Sequence, residues 1–262
     1  MTSSPAAAKA PPKFRPLAFG VTRVTTRPGA DGVEYLAADL ALEAFDQRMS
    51  DRLIHWAKTT PDETFVAQRE RLPDGQLGDW RRVSYAQTLD AARRIGQALL
   101  DRGLSPERPV VILSDNGIDH ALLALGCIYA GIPFSPASPA YSTVSKDYGK
   151  LRHVIDTLTP GLIWAEDGDR YGPALAAVAP AHCEIAASRH AAHPHLKGRQ
   201  ATLLAALLAT EPTPAVDAAQ AATGPDTILK FLFTSGSTKL PKAVINTHRM
   251  WCANQQQMRQ SM

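Results

Sequence analysis

The sequence predicts an α/β fold in which helices flank a mainly parallel β-sheet. Short, wholly apolar runs such as PVVIL, at Pro109–Leu113, are typical of buried parallel strands. These runs alternate with longer segments of helical periodicity across short connections, which is the pattern of repeated strand–helix units. With 45% hydrophobic and 20% charged residues among 262, the chain has an ordinary globular composition and enough length to bury a substantial core.

Residues 1–50 are interpreted as a leader. Its first part, MTSSPAAAKAPPKFRP, is rich in alanine and proline and is expected to be disordered. A short amphipathic helix is predicted over Asp51–Lys58. Two strands, Thr64–Glu70 and Asp79–Ser84, flank the turn Pro73–Gly75 and predict a β-hairpin.

The clearest helix follows the hairpin, in SYAQTLDAARRIGQALLDRG, with Ser84 as its predicted N-cap and Gly103 as its C′ residue. After the strand at Pro109–Leu113, the turn Ser114–Gly117 caps a second helix at Ile118–Ala130, which Gly131 closes. No element is assigned to residues 166–200. The remaining elements are a strand at Ile132–Ser135, a helix at Ser145–Leu158, a strand at Gly161–Ala165, a helix at 201–210, a surface connection at Glu211–Asp226 and a strand at Ile228–Phe233.

Charge and composition argue against several classes of function. The formal net charge of +3 is spread along the chain, and without a basic cluster we expect no nucleic-acid partner. The longest apolar run, Ala121–Phe134, has 14 residues, whereas a membrane span needs roughly 20. The N-terminus lacks the apolar core of a signal peptide. Three widely spaced cysteines suit a reducing, cytoplasmic location.

The segment FLFTSGSTKLPKAV, at Phe231–Val244, has the character of a phosphate-binding loop. Small hydroxyl residues and a glycine follow an apolar strand, and two lysines come close behind. Backbone N–H groups in such a loop can form an anion nest, glycine allows close approach, and lysine adds a mobile cation. It is not a Walker loop, because Pro241 stands where the second glycine is required. It also lacks the glycines of a dinucleotide fingerprint and of a hydrolase elbow.

These residues resemble the phosphate loop of the adenylate-forming superfamily, which includes acyl-CoA synthetases, luciferases and the adenylation domains of peptide synthetases. That loop reads [aromatic or small]-T-S-G-[S/T]-T-G-x-P-K-G, and the corresponding stretch here is Phe233–Ala243. The upstream stretches RPVVILSDNG and YAGIPFSPASPAYS agree in order, so the resemblance covers residues 51–262. The segment AVINTHRMWCANQQQMRQS most resembles the feruloyl-CoA synthetase branch.

The resemblance implies a partial N-terminal adenylation domain at 51–262, from an acid–CoA ligase that uses ATP, Mg²⁺ and coenzyme A. In that reaction a carboxylate attacks the α-phosphorus of ATP, pyrophosphate leaves, and the CoA thiol then displaces AMP. The resemblance assigns catalysis to Lys242 and to His248, near the carboxylate and the α-phosphate, and it assigns no metal ligand. The residues assigned to the β- and γ-phosphates are Thr234, Ser235, Gly236, Ser237, Thr238 and Lys242.

The branch resemblance implies an aromatic acid as the substrate, such as the hydroxycinnamate ferulate. A fatty-acid or amino-acid adenylating enzyme is the alternative within the class, and a non-catalytic remnant that binds nucleotide or a partner is the alternative outside it. The family's Mg²⁺-binding glutamate, ribose-binding aspartate and C-terminal lysine have no counterpart here. We therefore expect the chain to be the N-terminal portion of a larger enzyme and to be inactive alone.

Two other groups of polar residues receive structural interpretations. The tract HAAHPH, at 190–195, invites a zinc site. However, Pro194 prevents a regular helical presentation and no cysteine or carboxylate stands nearby in the sequence, so a solvated loop is favoured. Asp115 and Asp119 are close enough to suggest paired carboxylates, but a helix cap and a first helical turn explain both.

Lys239 and Ala243 stand where the family has glycines. We predict that the Lys239 side chain points away from the phosphates, because the family's loop works with no side chain at that position. Lys239→Gly should leave the KM for ATP unchanged or lower it, since glycine restores backbone freedom. Steady-state kinetics of the whole protein at varied ATP will test this. A several-fold higher KM in the variant would show that the lysine contacts the phosphates.

Overall fold

The computed structural model describes residues 23–72, 75–192, 194–196, 198–234 and 240–261. These residues belong to two compact units. The larger is Phe45–Cys252, and the smaller combines 23–44 with 253–261. Every helix in the described ranges is too short or too polar to cross a lipid bilayer.

Strands and helices alternate along much of the described chain. In chain order, the strands are β1 (Val24–Pro28), β2 (Glu34–Ala38), β3 (Thr64–Arg71), β4 (Leu77–Ser84), β5 (Val110–Leu113), β6 (Phe134–Ala137), β7 (Leu162–Asp167), β8 (Glu184–Arg189), β9 (Thr202–Leu203), β10 (Ile228–Thr234) and β11 (Lys242–Thr247). The helices are α1 (Met49–Thr59), α2 (Tyr85–Asp101), α3 (Ile118–Ala130), α4 (Ala140–Thr143), α5 (Gly149–Leu158), α6 (Gly168–Val178), α7 (Leu204–Leu208), α8 (Pro214–Ala222) and α9 (His248–Ser261).

A seven-stranded sheet forms the centre of the larger unit. Its strand order is β11-β10-β6-β5-β7-β8-β9. All neighbouring pairs are parallel except β10 and β11, which are antiparallel. The predicted α/β fold with a mainly parallel sheet is therefore confirmed. The predicted hairpin is also present, since β3 and β4 pair as a separate antiparallel ribbon.

Helices cover both faces of the sheet at its centre, which explains why β5 is apolar along its length. All four residues of β5 are buried. Val110 and Ile112 join the hydrophobic cluster that contains α2, α3 and α7. Val111 and Leu113 alternate to the opposite face, where they pack with α5 and α6. A buried parallel strand therefore shows no polar alternation, as its sequence indicates.

Both ends of α2 and the C-terminal end of α3 agree with the predicted capping residues. Ser84 caps α2 through a capping box, in which its side chain accepts from the Gln87 N–H and the Gln87 side chain accepts from the Ser84 N–H. Gly103, two residues beyond the last residue of α2, has a φ of 63°. Gly131 ends α3 in the left-handed conformation, with a φ of 69°, which glycine adopts without a Cβ clash.

The helix predicted over Ser145–Leu158 begins four residues later, at Gly149. In this interval Asp147 accepts hydrogen bonds from the Ser145 hydroxyl at 2.8 Å and from the Gly149 N–H at 3.1 Å. These local side-chain bonds form a turn that competes with the helix. The predicted strand at Ile132–Ser135 lies two residues further on, as β6.

The segment between α7 and β10 differs most from the sequence interpretation. The surface connection predicted at Glu211–Asp226 contains α8. Thr213 caps this helix by accepting from the Ala215 N–H, and Pro214 occupies its first turn, where the missing N–H costs nothing. The Thr213–Pro214 pair could have indicated the start of a helix. The high content of alanine, proline and threonine in this segment suggested a loop instead. The helix predicted at 201–210 is also shorter, since two of its residues form β9.

The smaller unit contains an antiparallel hairpin, β1 and β2, and the C-terminal part of α9. The Gln260 side chain donates to the Ala41 carbonyl at 3.1 Å and accepts from the Glu43 N–H at 3.0 Å. Gln256 donates to the Glu43 carboxylate at 3.1 Å. The stretch predicted to be disordered, at 1–16, lies outside the described residues.

Helices α2 and α3 approach each other closely at Gly126. A Cβ added to this glycine would lie 2.4 Å from the Ile95 Cγ2 atom. Ile95 is fully buried, so the space needed for that methyl group is already filled. The absence of a side chain at Gly126 thus permits the contact between the two helices.

We predict that Gly126→Ala destabilises the protein by about 1–3 kcal/mol through overpacking against Ile95. Urea denaturation, followed by circular dichroism, will measure the loss as a lower midpoint. Gly224→Ala is the matched control, because a Cβ there meets no atom within 4 Å. Equal midpoints for the two variants would contradict the close packing of α2 on α3.

Candidate active site

The predicted phosphate loop joins two paired strands at the carboxyl edge of the sheet. Residue Thr234 ends β10, and Lys242 begins β11 and lies directly opposite it in the antiparallel register. Residues 235–241 therefore connect β10 to β11. Ser235, Gly236, Ser237 and Thr238, together with Lys239, lie outside the described residues.

Thr234 and Lys242 are the two predicted phosphate residues that the structure describes, and it brings them together. Directly opposed residues in an antiparallel pair have Cβ atoms roughly 4.5–5.5 Å apart, on the same face of the sheet. Both residues are exposed. A hydroxyl donor and a mobile ammonium group thus stand side by side where the loop begins and ends. This pair can donate to an anion and offset its charge.

His153 of α5 contacts both flanks of the same loop. Its Nε2 atom lies 2.9 Å from the Pro241 carbonyl oxygen. Its ring packs edge-on against the Phe233 ring, with centroids 6.2 Å apart and an interplanar angle of 86°. This residue could not be predicted from the sequence, because a lone histidine on an amphipathic helix carries no signal of a contact almost ninety residues away.

The structure does not bring His248 next to Lys242. His248 directly follows Thr247, the last residue of β11, whereas Lys242 is its first. Five steps along a strand separate Lys242 from Thr247 by about 17 Å. The two residues assigned to catalysis therefore stand at opposite ends of one strand.

His248 is 1% exposed and makes a defined contact with α1. Its Nδ1 atom accepts from the Met49 N–H at 3.0 Å, one of the first N–H groups of α1 that lack an intrahelical partner. Because Nδ1 accepts, the neutral ring carries its proton on Nε2. Within the described residues, Nε2 is buried without a hydrogen-bond partner.

The electrostatic environment of His248 favours the neutral ring. Burial lowers its pKa, and the nearby Arg48 guanidinium lowers it further, against an opposing effect of Asp51. Protonation would also place a hydrogen on Nδ1, where the Met49 N–H now donates. Both effects disfavour the imidazolium in the folded protein.

Lys230 is a second buried basic residue in this region, and sequence analysis missed it. Its Nζ atom lies 3.7 Å from the Trp251 ring centroid and 6.0 Å from that of Phe134. The side chain is only 9% exposed, and burial lowers its pKa. The feature of the sequence that could have identified it is a lysine inside the apolar run ILKFLF. The aromatic face stabilises the ammonium where water is excluded.

Carboxylates approach the histidine tract from a distant part of the sequence. Asp167 and Asp169 offer oxygen atoms that, with a ring nitrogen of His190, lie within 4.8 Å of one another. Carboxylates therefore do stand near the tract in three dimensions, contrary to the prediction from the sequence. His190 Nδ1 lies 2.8 Å from Asp167, and Arg189 lies 3.3 Å from the same carboxylate. His193 lies outside the described residues.

This cluster serves as an ion-pair network at the start of α6. Asp167 caps the helix by accepting from the Asp169 N–H. Three strand spacings separate β10 from β7, which is about 14 Å. The carboxylates are therefore remote from the strand that leads into the predicted phosphate loop.

Asp115 and Asp119 do not pair with each other, as sequence analysis anticipated. They line a crevice of about 640 Å³ beyond the carboxyl ends of β5, β7 and β8. Asp119 lies in the first turn of α3 and pairs with Arg81 at 2.8 Å. Asp115 pairs with Arg170. The predicted cap role of Asp115 is wrong, because Gly117 is the N-cap of α3 and the Ile118 N–H donates to the Gln68 side chain at 3.1 Å.

Comparison with known proteins identifies relatives that share this region. The family model described as "AMP-binding enzyme" matches residues 53–262. The probable non-canonical nonribosomal peptide synthetase CymA of Salinispora arenicola (strain CNS-205) is 30% identical over 173 residues, which cover 66% of this chain and 2% of that protein. The fatty acid–[acyl-carrier-protein] ligase ScoC of Streptomyces coeruleorubidus is 28% identical over 205 residues, which cover 78% and 36%.

A third relative is the salicylyl-CoA synthase / salicylate adenylyltransferase of a Streptomyces species. It is 28% identical over 200 residues, which cover 75% of this chain and 34% of that protein. The chain thus spans no more than 36% of the length of these three relatives.

Solved structures show the same fold. The adenylation domain of a keto acid-selecting NRPS module, bound to keto acyl adenylate, has a TM-score of 0.61 at 23% identity, with 83% of this chain and 35% of that chain covered. The fatty acyl-adenylate ligase from L. pneumophila, in complex with acyl adenylate and pyrophosphate, has a TM-score of 0.54 at 21% identity, with 78% and 31% covered. At these identities the likeness concerns the fold.

We predict that stability falls as the pH drops below about 6.5, the ordinary pKa of histidine. The unfolded chain then binds a proton at His248 that the folded protein resists, since burial lowers the folded-state pKa. The stability that the neutral ring contributes is present above the unfolded pKa. It is lost as the pH falls toward the lower, folded value.

Urea midpoints at pH 7.5 and 5.5 will measure this effect. The difference between them should be smaller in His248→Asn, because the Asn amide oxygen can still accept from the Met49 N–H but does not titrate. His182→Asn, at an exposed position, is the control. An unchanged pH difference in His248→Asn would contradict the buried neutral ring.

Proposed function

Because the chain belongs to the AMP-binding enzyme family, we propose that it provides the phosphate-binding part of an enzyme that activates a carboxylic acid with ATP. The products would be an acyl-adenylate and pyrophosphate. The observation that carries the proposal is the cross-strand pairing of Thr234 with Lys242 at the ends of a Ser/Thr/Gly loop. This arrangement joins an anion-binding loop to a cation on two paired strands.

The loop acts by position and by charge. Lys242 offsets the charge of the β- and γ-phosphates, and Thr234 donates its hydroxyl to the same anion. We assign Ser235, Gly236, Ser237 and Thr238 to the same phosphates on the strength of the motif. Phosphoryl-type transfers gain most from fixed geometry and preorganised donors, so these residues need no covalent role.

Magnesium would add charge neutralisation to the phosphates when it is bound. We assign it no ligand from this chain. The cluster of Asp167, Asp169 and His190 is three to four strands from β10, too remote to serve a metal on phosphates held by the loop.

We propose that His248 acts at a different place from Lys242 and does not contact the same phosphates. Its buried Nε2–H can donate to an acceptor oxygen, but the carboxylate that attacks the α-phosphorus would lie beside the phosphates that Lys242 contacts. Its distance along β11 places it far from the phosphates that Lys242 would contact. The alternative role is to cap α1 through Met49.

We propose a hydroxycinnamate, such as ferulate, as the acid and coenzyme A as the acceptor. The support is the likeness of residues 243–261 to the feruloyl-CoA synthetase branch. Relatives named for salicylate, for 4-hydroxybenzoate and benzoate, and for fatty acids make aryl and fatty acids the competing substrates. Peptide synthetases among the relatives add amino acids to that set.

A second candidate function is nucleotide binding without turnover. It is favoured by the separation of the two residues assigned to catalysis, since Lys242 begins β11 and His248 follows its last residue. Acid-dependent exchange of labelled pyrophosphate into ATP distinguishes the two functions. Exchange by the whole protein supports the enzyme, and ATP binding without exchange supports the second candidate.

We predict that Lys242→Ala lowers kcat/KM for ATP in this exchange by roughly 10- to 100-fold, the scale of one lost charge-assisted contact. Lys58→Ala is the control, because Lys58 is an exposed lysine on α1. Unchanged kinetics in Lys242→Ala would remove Lys242 from the phosphate site and would count against the proposed function.

The same pyrophosphate-exchange assay identifies which carboxylic acid is the substrate. Ferulate, salicylate, benzoate, a medium-chain fatty acid and an amino acid are supplied one at a time. The largest kcat/KM for ferulate would support the hydroxycinnamate proposal. A larger value for another acid would replace ferulate and leave acid activation intact.

A further inference from the structure

His153 connects a rigid helix to the two ends of the phosphate loop. A carbonyl oxygen accepts only, so His153 Nε2 must carry the hydrogen and donate to Pro241 at 2.9 Å. The ring also contacts Phe233, the residue before Thr234. One side chain therefore touches the chain on both sides of the loop.

The hydrogen bond to Pro241 orients the peptide that precedes Lys242. Pro241 is buried and has no N–H, so its carbonyl is its sole backbone polar group. The backbone has no cis peptide bond among the described residues. In a planar trans peptide, the N–H of Lys242 points away from the Pro241 carbonyl. By holding the carbonyl, His153 sets the direction in which β11 leaves the loop.

Helix α5 holds the imidazole of His153 in a fixed position. Four of its residues, Leu151, Val154, Ile155 and Leu158, are buried in the cluster beneath one face of the sheet. Phe233 packs against the same cluster. A side chain on such a helix holds its partners more reliably than one on another loop would.

We propose that His153 is a positioning residue that preorganises Thr234 and Lys242, at the two ends of the phosphate loop, for ATP. This inference rests on the proposed function. His153 supplies no atom to the reaction and acts through Pro241 and Phe233, by keeping Thr234 and Lys242 at a constant separation before the nucleotide arrives. Without this contact, part of the binding free energy of ATP would offset the cost of fixing Thr234 and Lys242 relative to each other.

The test compares three substitutions at His153 in pyrophosphate exchange by the whole protein. His153→Leu removes the donor and the imidazole ring. His153→Phe keeps an aromatic ring for Phe233 but has no donor. His153→Gln keeps an N–H donor close to the position of Nε2. His182→Leu, at an exposed position, is the matched control.

We expect the KM for ATP to rise about 5- to 20-fold in His153→Leu and His153→Phe, with the KM for the acid within twofold of the parent. His153→Gln should restore most of the ATP affinity, and the control should match the parent. If His153→Leu does not fold, His153→Phe decides alone, since it changes only the donor at nearly constant bulk.

An unchanged KM for ATP in His153→Phe, or a Gln variant as impaired as the Phe variant, would overturn the positioning role. An equal rise in both KM values would also overturn it, because general damage would then explain the loss. Lys242→Ala separates this failure from that of the proposed function. If Lys242→Ala is impaired and the His153 variants are not, the inference about His153 alone fails.

Discussion

The antiparallel pairing of β11 with β10 is the constraint on which the candidate site depends. β10 is parallel to β6 and ends at the carboxyl edge of the sheet, where open α/β sheets bind their ligands. Because β11 returns along β10, the chain must reverse direction at this edge. The register sets Thr234 against Lys242. A slip of one residue would turn the lysine to the other face of the sheet.

The rest of the larger unit holds the β10–β11 pair in place. Helices bury both faces of the parallel strands, so the edge from which the loop emerges belongs to a packed body. Gly126 lets α2 approach α3 on one face, and α5 supports the loop from the other through His153. The loop region therefore rests on elements whose own positions are set by hydrophobic burial.

Much of the fold could be predicted because its signals are local. The wholly apolar β5, the capping box at Ser84 and the glycine after α3 each report the conformation of a few neighbouring residues. The errors came where two local signals competed. Asp147 delays the start of α5 by forming a turn. Thr213 and Pro214 begin α8 within a segment whose composition suggested a loop.

The amino-acid sequence alone is enough to establish the α/β class, the order of most elements, the loop motif and hence the family. Each of these features depends on residue types at short spacing along the chain. The periods of helices and strands relate that spacing directly to local structure. Which distant residues meet is a property of the tertiary fold. It set Lys242 apart from His248, brought Asp167 to His190, and placed His153 against Pro241. Those contacts follow from strand order and helix packing, which depend on the burial of the whole chain and cannot be deduced from any one segment.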